Sequence, residues 1–149
     1  MKSNELLQSA QSLMEIQPNT TSILSNASAF LMESLQEINW VGFYLFDGKK
    51  LTVGPFQGKV ACSTIEMGKG VCGEAARYQQ TIVIHDVLNY QNHIACDSNS
   101  RSEAVVPIFI KGKLFCVLDV DSPILNRFDH DTITFLEEFV KLLVKTIDI

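Results

Sequence analysis

The chain has 149 residues, 46% of them hydrophobic, with 17 acidic against 12 basic side chains and four cysteines. That is enough apolar material for one domain with its own core, and the mildly acidic balance without a lysine/arginine cluster argues against a nucleic-acid surface. No apolar run reaches the roughly 18 residues of a membrane span, and the stretch from Met1 to Glu5 lacks a basic-then-apolar leader, so a soluble, cytoplasmic protein without membrane partners is expected.

Residues 5–14 place Leu6, Leu7, Ala10, Leu13 and Met14 at helical spacing, and Pro18-Asn19 breaks that pattern. Thr20 or Thr21 can cap a second helix with the stripe Ile23, Leu24, Ala27, Phe30, Leu31, Leu35 and Ile38, which Asn39 can end. Trp40–Phe46 is aromatic and β-branched and reads as a strand buried on both faces; Asp47-Gly48 then turns into a partner strand, Lys50–Val53. From Pro55 to Asn99 the chain is loop-rich, with a short helix at Gly73–Tyr78 and a short strand at Thr81–Ile84. Ala104–Ile110 and Lys113–Asp121 are strands joined by the Lys111-Gly112 hairpin. Asp129 or Asp131 starts a last helix with Ile133, Leu136, Val140, Leu143, Val144 and Ile147 on one face. This order predicts an α+β fold: a central, mostly antiparallel sheet with helices gathered on one side.

Cys62, Cys72 and Cys96 stand in glycine-rich or polar segments where water can reach sulfur, the setting in which a thiolate forms and reacts. Cys116, within Leu114-Phe115-Cys116-Val117-Leu118, reads as a small buried hydrophobe. Asp119 and Asp121 are two apart on a strand and so share a face. Counting back from the Lys111-Gly112 turn sets Glu103 opposite Val120, at the end of the sheet that holds both aspartates. Buried carboxyls must be protonated, paired or ligand-facing, so this end suggests a cation site, a metal site or a general acid.

Two motifs suggest other chemistry. Gly68-Lys69-Gly70-Val71-Cys72-Gly73 matches the dinucleotide fingerprint G-x-G-x-x-G, but the preceding segment is broken by Cys62, Ser63 and Thr64 and the following helix is short for a crossover. Its helix N-terminus can still lower the pKa of Cys72. Cys62, Cys72, His85, His93 and Cys96 could ligate zinc, yet none forms a C-x2-C pair, and both histidines read better as polar loop residues.

The segments Trp40–Tyr44, Gly54–Cys62, Gly68–Gly73, His93–Asp97, Ser102-Glu103 and Val117–Ser122 resemble the free methionine-(R)-sulfoxide reductases, enzymes built on a single GAF domain. The resemblance runs from about Trp40 to Phe128 and implies one GAF domain over 1–149. It implies that Cys96 is the nucleophile, that Cys62 resolves the intermediate as a disulfide, and that Cys72 is a second or alternative thiol. It further implies that Glu103, Asp119 and Asp121 bind the substrate, that Trp40 packs its methyl group and that Tyr44 neighbours the pocket. Arg101 and Cys116 depart from the family's usual small polar residue and glycine.

The chemistry implied is a thioredoxin-dependent oxidoreductase. The acids take the ammonium of a free amino acid, and a carboxyl with a raised pKa protonates the sulfoxide oxygen. Cys96 attacks sulfur, methionine leaves, and the resulting sulfenic acid condenses with Cys62. An external dithiol, thioredoxin, resets the disulfide. No metal or organic cofactor is required, and terminal-helix pairing into a homodimer is implied. The alternatives are a GAF sensor that binds a small molecule without turnover and a zinc-binding regulatory protein.

Overall fold

A strand apolar at every position, such as Trp40–Phe46, needs cover on both of its faces. In the computed structural model, which describes residues 3–94 and 99–147, it has that cover. The elements in chain order are α1 (Ser3–Glu15), α2 (Thr20–Ser34), β1 (Trp40–Phe46), β2 (Lys50–Gln57), β3 (Thr64–Glu66), α3 (Gly70–Tyr78), β4 (Ile82–Ile84), β5 (Ser102–Ile110), β6 (Lys113–Ser122) and α4 (His130–Thr146). The strands form a six-stranded sheet in the order β3-β2-β1-β6-β5-β4, and every pairing is antiparallel. The fold is α+β, as expected. No helix among the described residues is long and apolar enough to cross a membrane.

Alternation along the strands divides the core in two. Val41, Phe43, Ala104, Val106, Ile108, Cys116, Leu118 and Val120 face a cluster completed by α1, α2 and α4. In that cluster Phe30 of α2 and Phe139 of α4 stack with ring centroids 6.1 Å apart. Trp40, Tyr44, Val105 and Val117 face the other way, onto Val71, Cys72, Ala75 and Ala76 of α3. The terminal helices therefore share one side, but α3 does not join them. Both sheet faces are apolar at the centre, so burying only one would leave the second wet.

Local chemistry explains the remaining departures from expectation. Asn19, not Thr20 or Thr21, caps α2: its side-chain oxygen accepts from the Ser22 N–H at 2.9 Å. That helix stops at Ser34, well before Asn39, because Leu35 is extended and Glu37 takes a positive φ of 58°. Leu35 and Ile38 still pack on the core from outside the helix. β2 continues past Val53 to Gln57 although it contains Pro55, because the register against β1 shifts between Gly42 and Tyr44. Gly54-Pro55 lies in that bulge, where a missing N–H breaks no regular ladder bond. α3 begins at Gly70, earlier than expected, and Asp129 caps α4 by accepting from the Thr132 N–H at 2.9 Å.

The bulge draws β2 tightly against β1. A Cβ on Gly42 would lie 2.2 Å from the Phe56 Cβ and 2.8 Å from its Cα, so backbone would have to move. Gly42→Ala is expected to cost about 3 kcal/mol by overpacking. That corresponds to a fall in Tm of about 6–12 °C at this chain length, measured by thermal unfolding.

Candidate active site

The site is assembled by strand register. β5 and β6 pair with a shift between Ile108 and Phe109: Ile108 faces Cys116 while Phe109 faces Leu114, leaving Phe115 as the extra residue of a bulge. Beyond it Glu103 faces Asp121 and Ala104 faces Val120. This corrects the simple count, which set Glu103 opposite Val120 and so on the helix-covered face. One residue of slip reverses every side chain, and the bulge supplies that residue. β1 completes the wall, with Trp40 facing Asp121 and Gly42 facing Asp119.

Glu103, Asp119 and Asp121 are thus buried on one face, exposed by only 7%, 6% and 8%. They line a cavity of about 30 Å³ together with Tyr44, Val71, Cys72, His93, Ile94 and Ser100. One ligand-capable atom each from Cys72, Glu103 and Asp119 lies within 4.8 Å of the others. No lysine or arginine lines the cavity among the described residues. Without a lysine or arginine to pair with, burial of the carboxyls must be met largely by protonation.

Burial pushes the Glu103 carboxyl well above its ordinary range, and the neighbouring Asp119 and Asp121 push it further the same way. Burial also raises Asp119, but hydrogen bonding with Glu103 and Cys72 favours its charged form. The proton of this coupled set therefore rests on Glu103, with Asp119 as acceptor. The Tyr44 hydroxyl is held protonated by burial and by Asp119, and it donates to the Cys62 carbonyl at 3.1 Å. Trp40 does not line the cavity. It stacks on Tyr44 with ring centroids 5.9 Å apart and donates its indole N–H to the Lys59 carbonyl at 3.1 Å. The two aromatics thereby fix the Lys59–Cys62 segment at the site.

The cysteines separate by environment. Cys62 is disulfide-bonded, whereas Cys72 and Cys116 are free and buried. Cys96, the expected nucleophile, lies outside the described residues. Cys72 is not the water-reached thiol that its glycine-rich flanks suggest. It is in the first turn of α3, 3% exposed, and burial followed by Asp119 and Glu103 pushes its pKa up. A helix N-terminus stabilises a thiolate by about 1 kcal/mol at most sites, less than desolvation beside carboxyls costs. Cys116 is fully buried in the opposite core, as expected of a small hydrophobe.

The dinucleotide reading loses its geometry, and two of the five zinc candidates are set apart. β3 is a three-residue antiparallel edge strand and α3 spans nine residues, so no parallel crossover unit exists there. Gly70 instead serves a close approach: it has a φ of 65°, and a Cβ there would come within 3.1 Å of Ile94. Of the five candidate zinc ligands, Cys62 is disulfide-bonded and His85 is exposed away from the cavity.

Sequence reading missed part of the cavity lining. The 90–94 segment is braced onto α3 by Glu74, which accepts from the Tyr90 hydroxyl through Oε2 and from the Asn92 side-chain amide at 2.8 Å through Oε1. The same amide nitrogen donates to the Gly68 carbonyl at 3.0 Å. Burial and then Glu74 push the Tyr90 pKa up to about 12. His93 and Ile94 reach the cavity from this brace, and Ser100 reaches it from beside Asn39, whose amide donates to the Ser100 hydroxyl at 3.2 Å. Only the position of His93 three residues before Cys96 signalled it. Arg101 is part-exposed, 3.9 Å from Asp86, and its backbone N–H donates to the Ser122 carbonyl at 2.7 Å.

A GAF fold with a thiol and three carboxyls around one cavity defines the class, and the GAF domain profile matches residues 19–147. The free methionine-R-sulfoxide reductase of Escherichia coli is 43% identical over 135 residues, covering 91% of this chain and 82% of that protein. The structure of fRMsr of Staphylococcus aureus in its reduced form superposes with a TM-score of 0.94 at 48% identity, covering 99% of this chain and 96% of that one. The free methionine-R-sulfoxide reductase of Neisseria meningitidis in complex with its substrate gives a TM-score of 0.92 at 41% identity, covering 97% and 87%. The chain belongs to the free methionine-(R)-sulfoxide reductase family of GAF domains.

Above its ordinary value of 4.5, Glu103 binds more protons in the folded than in the unfolded chain, so stability falls as pH rises through that range. Thermal melts of the wild type should show Tm declining from about pH 5 to pH 8. Glu103→Gln should flatten that slope and raise Tm at pH 8 by several degrees, at about 2–4 °C per kcal/mol. An equal slope in both proteins would mean that Glu103 is ionised in the fold.

Proposed function

We propose that this protein reduces free methionine-(R)-sulfoxide to methionine, using its own cysteines as the electron source and thioredoxin as the recycling dithiol. The observation that carries this reading is one cavity wall of three buried carboxyls with Cys72, with no lysine or arginine in that lining among the described residues, and with the disulfide-bonded Cys62 held to it through Tyr44. Such a wall is matched by a small cation that arrives with the ligand, and the ammonium of a free amino acid is one. The buried Asp119 Oδ1 has no hydrogen-bond partner and suits that ammonium.

The residues divide the work as follows. Asp119 and Asp121 hold the ammonium. Glu103, kept protonated by burial and its neighbours, donates to the sulfoxide oxygen, which otherwise leaves poorly. The Cys96 thiolate attacks the sulfoxide sulfur, and the protonated oxygen transfers from that sulfur to the Cys96 sulfur as the new S–S bond breaks, which releases methionine and leaves Cys96 as a sulfenic acid. The Cys62 thiol attacks that sulfenic sulfur, and the disulfide forms with loss of water. Thioredoxin reduces the disulfide by exchange. Cys72, buried and protonated beside the carboxyls, is the alternative thiol. Tyr44, backed by the stacked Trp40, gives the apolar side against which the substrate methyl packs.

The disulfide at Cys62 is the oxidised stage of this cycle. A cavity of about 30 Å³ is smaller than the amino acid, so substrate is expected to enter the reduced form. The protein acts as a single GAF domain over 1–149 and as a cytoplasmic homodimer in the same reading. Grooves along α4 that include Phe109, Leu142 and Val144 offer apolar surface to a second copy. Light scattering separates 16.6 kDa from twice that mass.

Methionine release from free methionine sulfoxide with dithiothreitol tests the proposal directly, and no release from either diastereomer overturns it. Cys96→Ser should lower that rate by about 10³-fold or more, as loss of a nucleophile does. Cys62→Ser should keep a single turnover but lose recycling by thioredoxin, read by quenched-flow bursts.

N-acetylation should lower kcat/KM about 10–100-fold, since it removes the charge that the acids read. Comparable kcat/KM on the N-acetylated substrate would assign the carboxyls another task.

A further inference from the structure

The cavity is built to read positive charge on one side, yet a free amino acid also carries a carboxylate. That group needs a hydrogen-bond donor, and the three acids repel it. Among the described lining residues, His93 has the one basic side chain. Its Nδ1 is buried and has no hydrogen-bond partner. A buried nitrogen left unsatisfied is disfavoured and uncommon in a native fold, which marks this atom as one that meets something else.

The backbone that carries the ring is held in place. The His93 N–H donates to the Tyr90 carbonyl at 3.2 Å, and both neighbours of that turn are tied to α3 through Glu74. Ile94, the next residue, closes against Gly70. Asp119 lies near enough to favour the charged imidazole, although burial opposes it more strongly. An amino-acid ammonium and carboxylate are attached to the same carbon, so a group beside Asp119 is where a carboxylate donor belongs.

We propose that His93 is a substrate-contact residue whose Nδ1–H donates to the α-carboxylate of free methionine-(R)-sulfoxide, so that the site requires a free carboxylate as well as a free ammonium. The inference rests on the functional reading above. His93 plays no part in sulfur or proton transfer. It acts by binding and orienting one end of the substrate.

The test is steady-state kinetics of the full chain with dithiothreitol, for His93→Ala, His93→Asn and His93→Gln. Free methionine-(R)-sulfoxide is compared with its α-carboxamide. His93→Ala should raise KM about tenfold or more, the effect of one charge-assisted hydrogen bond, while kcat moves far less. His93→Asn carries a donor near the Nδ1 position and should recover most of that loss. His93→Gln, similar to histidine in size, carries its donor near the Nε2 position and should not. On the carboxamide the wild type should already be weakened, and His93→Ala should add little, as expected when both changes remove the same contact. Unchanged KM in His93→Ala, rescue by Gln instead of Asn, or equal losses on both substrates would each overturn the assignment. If the wild type reduces neither compound, the functional reading fails, and this one with it. Wild-type turnover with an unaffected His93→Ala KM overturns His93 alone.

Discussion

Three carboxyls buried on one sheet face, with no lysine or arginine lining their cavity among the described residues, are the constraint on which the rest of the site depends. Charged and unpaired, they would be too costly to bury. The fold meets that cost by keeping Glu103 protonated and by gathering hydrogen bonds on Asp119. In the function proposed above, the same arrangement supplies a proton and a cation site, the two things that reduction of a free amino-acid sulfoxide requires of its surroundings.

Backbone irregularities place those groups. The bulge at Phe115 moves Glu103 from the helix-covered face to the cavity face. The bulge at Gly54-Pro55 brings Phe56 against Gly42, and Phe56 stacks on Trp40 with ring centroids 5.0 Å apart. Trp40 in turn stacks on Tyr44, and both hold the Lys59–Cys62 carbonyls. Two extra residues in otherwise regular ladders therefore connect the sheet to both the acidic wall and the segment that carries Cys62.

The cysteines illustrate how surroundings decide chemistry for one side chain. Cys116 belongs to the apolar core and Cys72 to a carboxyl-lined one, so both are held as thiols. Cys62 stands on an irregular segment outside the helices and strands, where sulfur can change partners. Residue type alone does not distinguish them. Burial and neighbouring charge do.

Much was legible in the sequence because it rests on local rules. β1 was readable to its ends from an unbroken apolar run, and the shared face of Asp119 and Asp121 from the period of a strand. The terminal helices were readable from their apolar stripes, and the cysteine-containing motifs pointed to the family. What the tertiary structure alone decided concerns groups distant in the chain. It put α3 on the far face, because the sheet is apolar on both. It made Cys72 a thiol with a raised pKa, because packing of α3 on the sheet buries it and sets it beside carboxyls from β5 and β6. It brought His93 to the cavity through hydrogen bonds to Glu74, 16 and 18 residues from Tyr90 and Asn92. Local sequence fixes φ/ψ preference and which side a residue faces. Desolvation and charge are sums over whatever the completed fold sets beside it, and no window of sequence contains them.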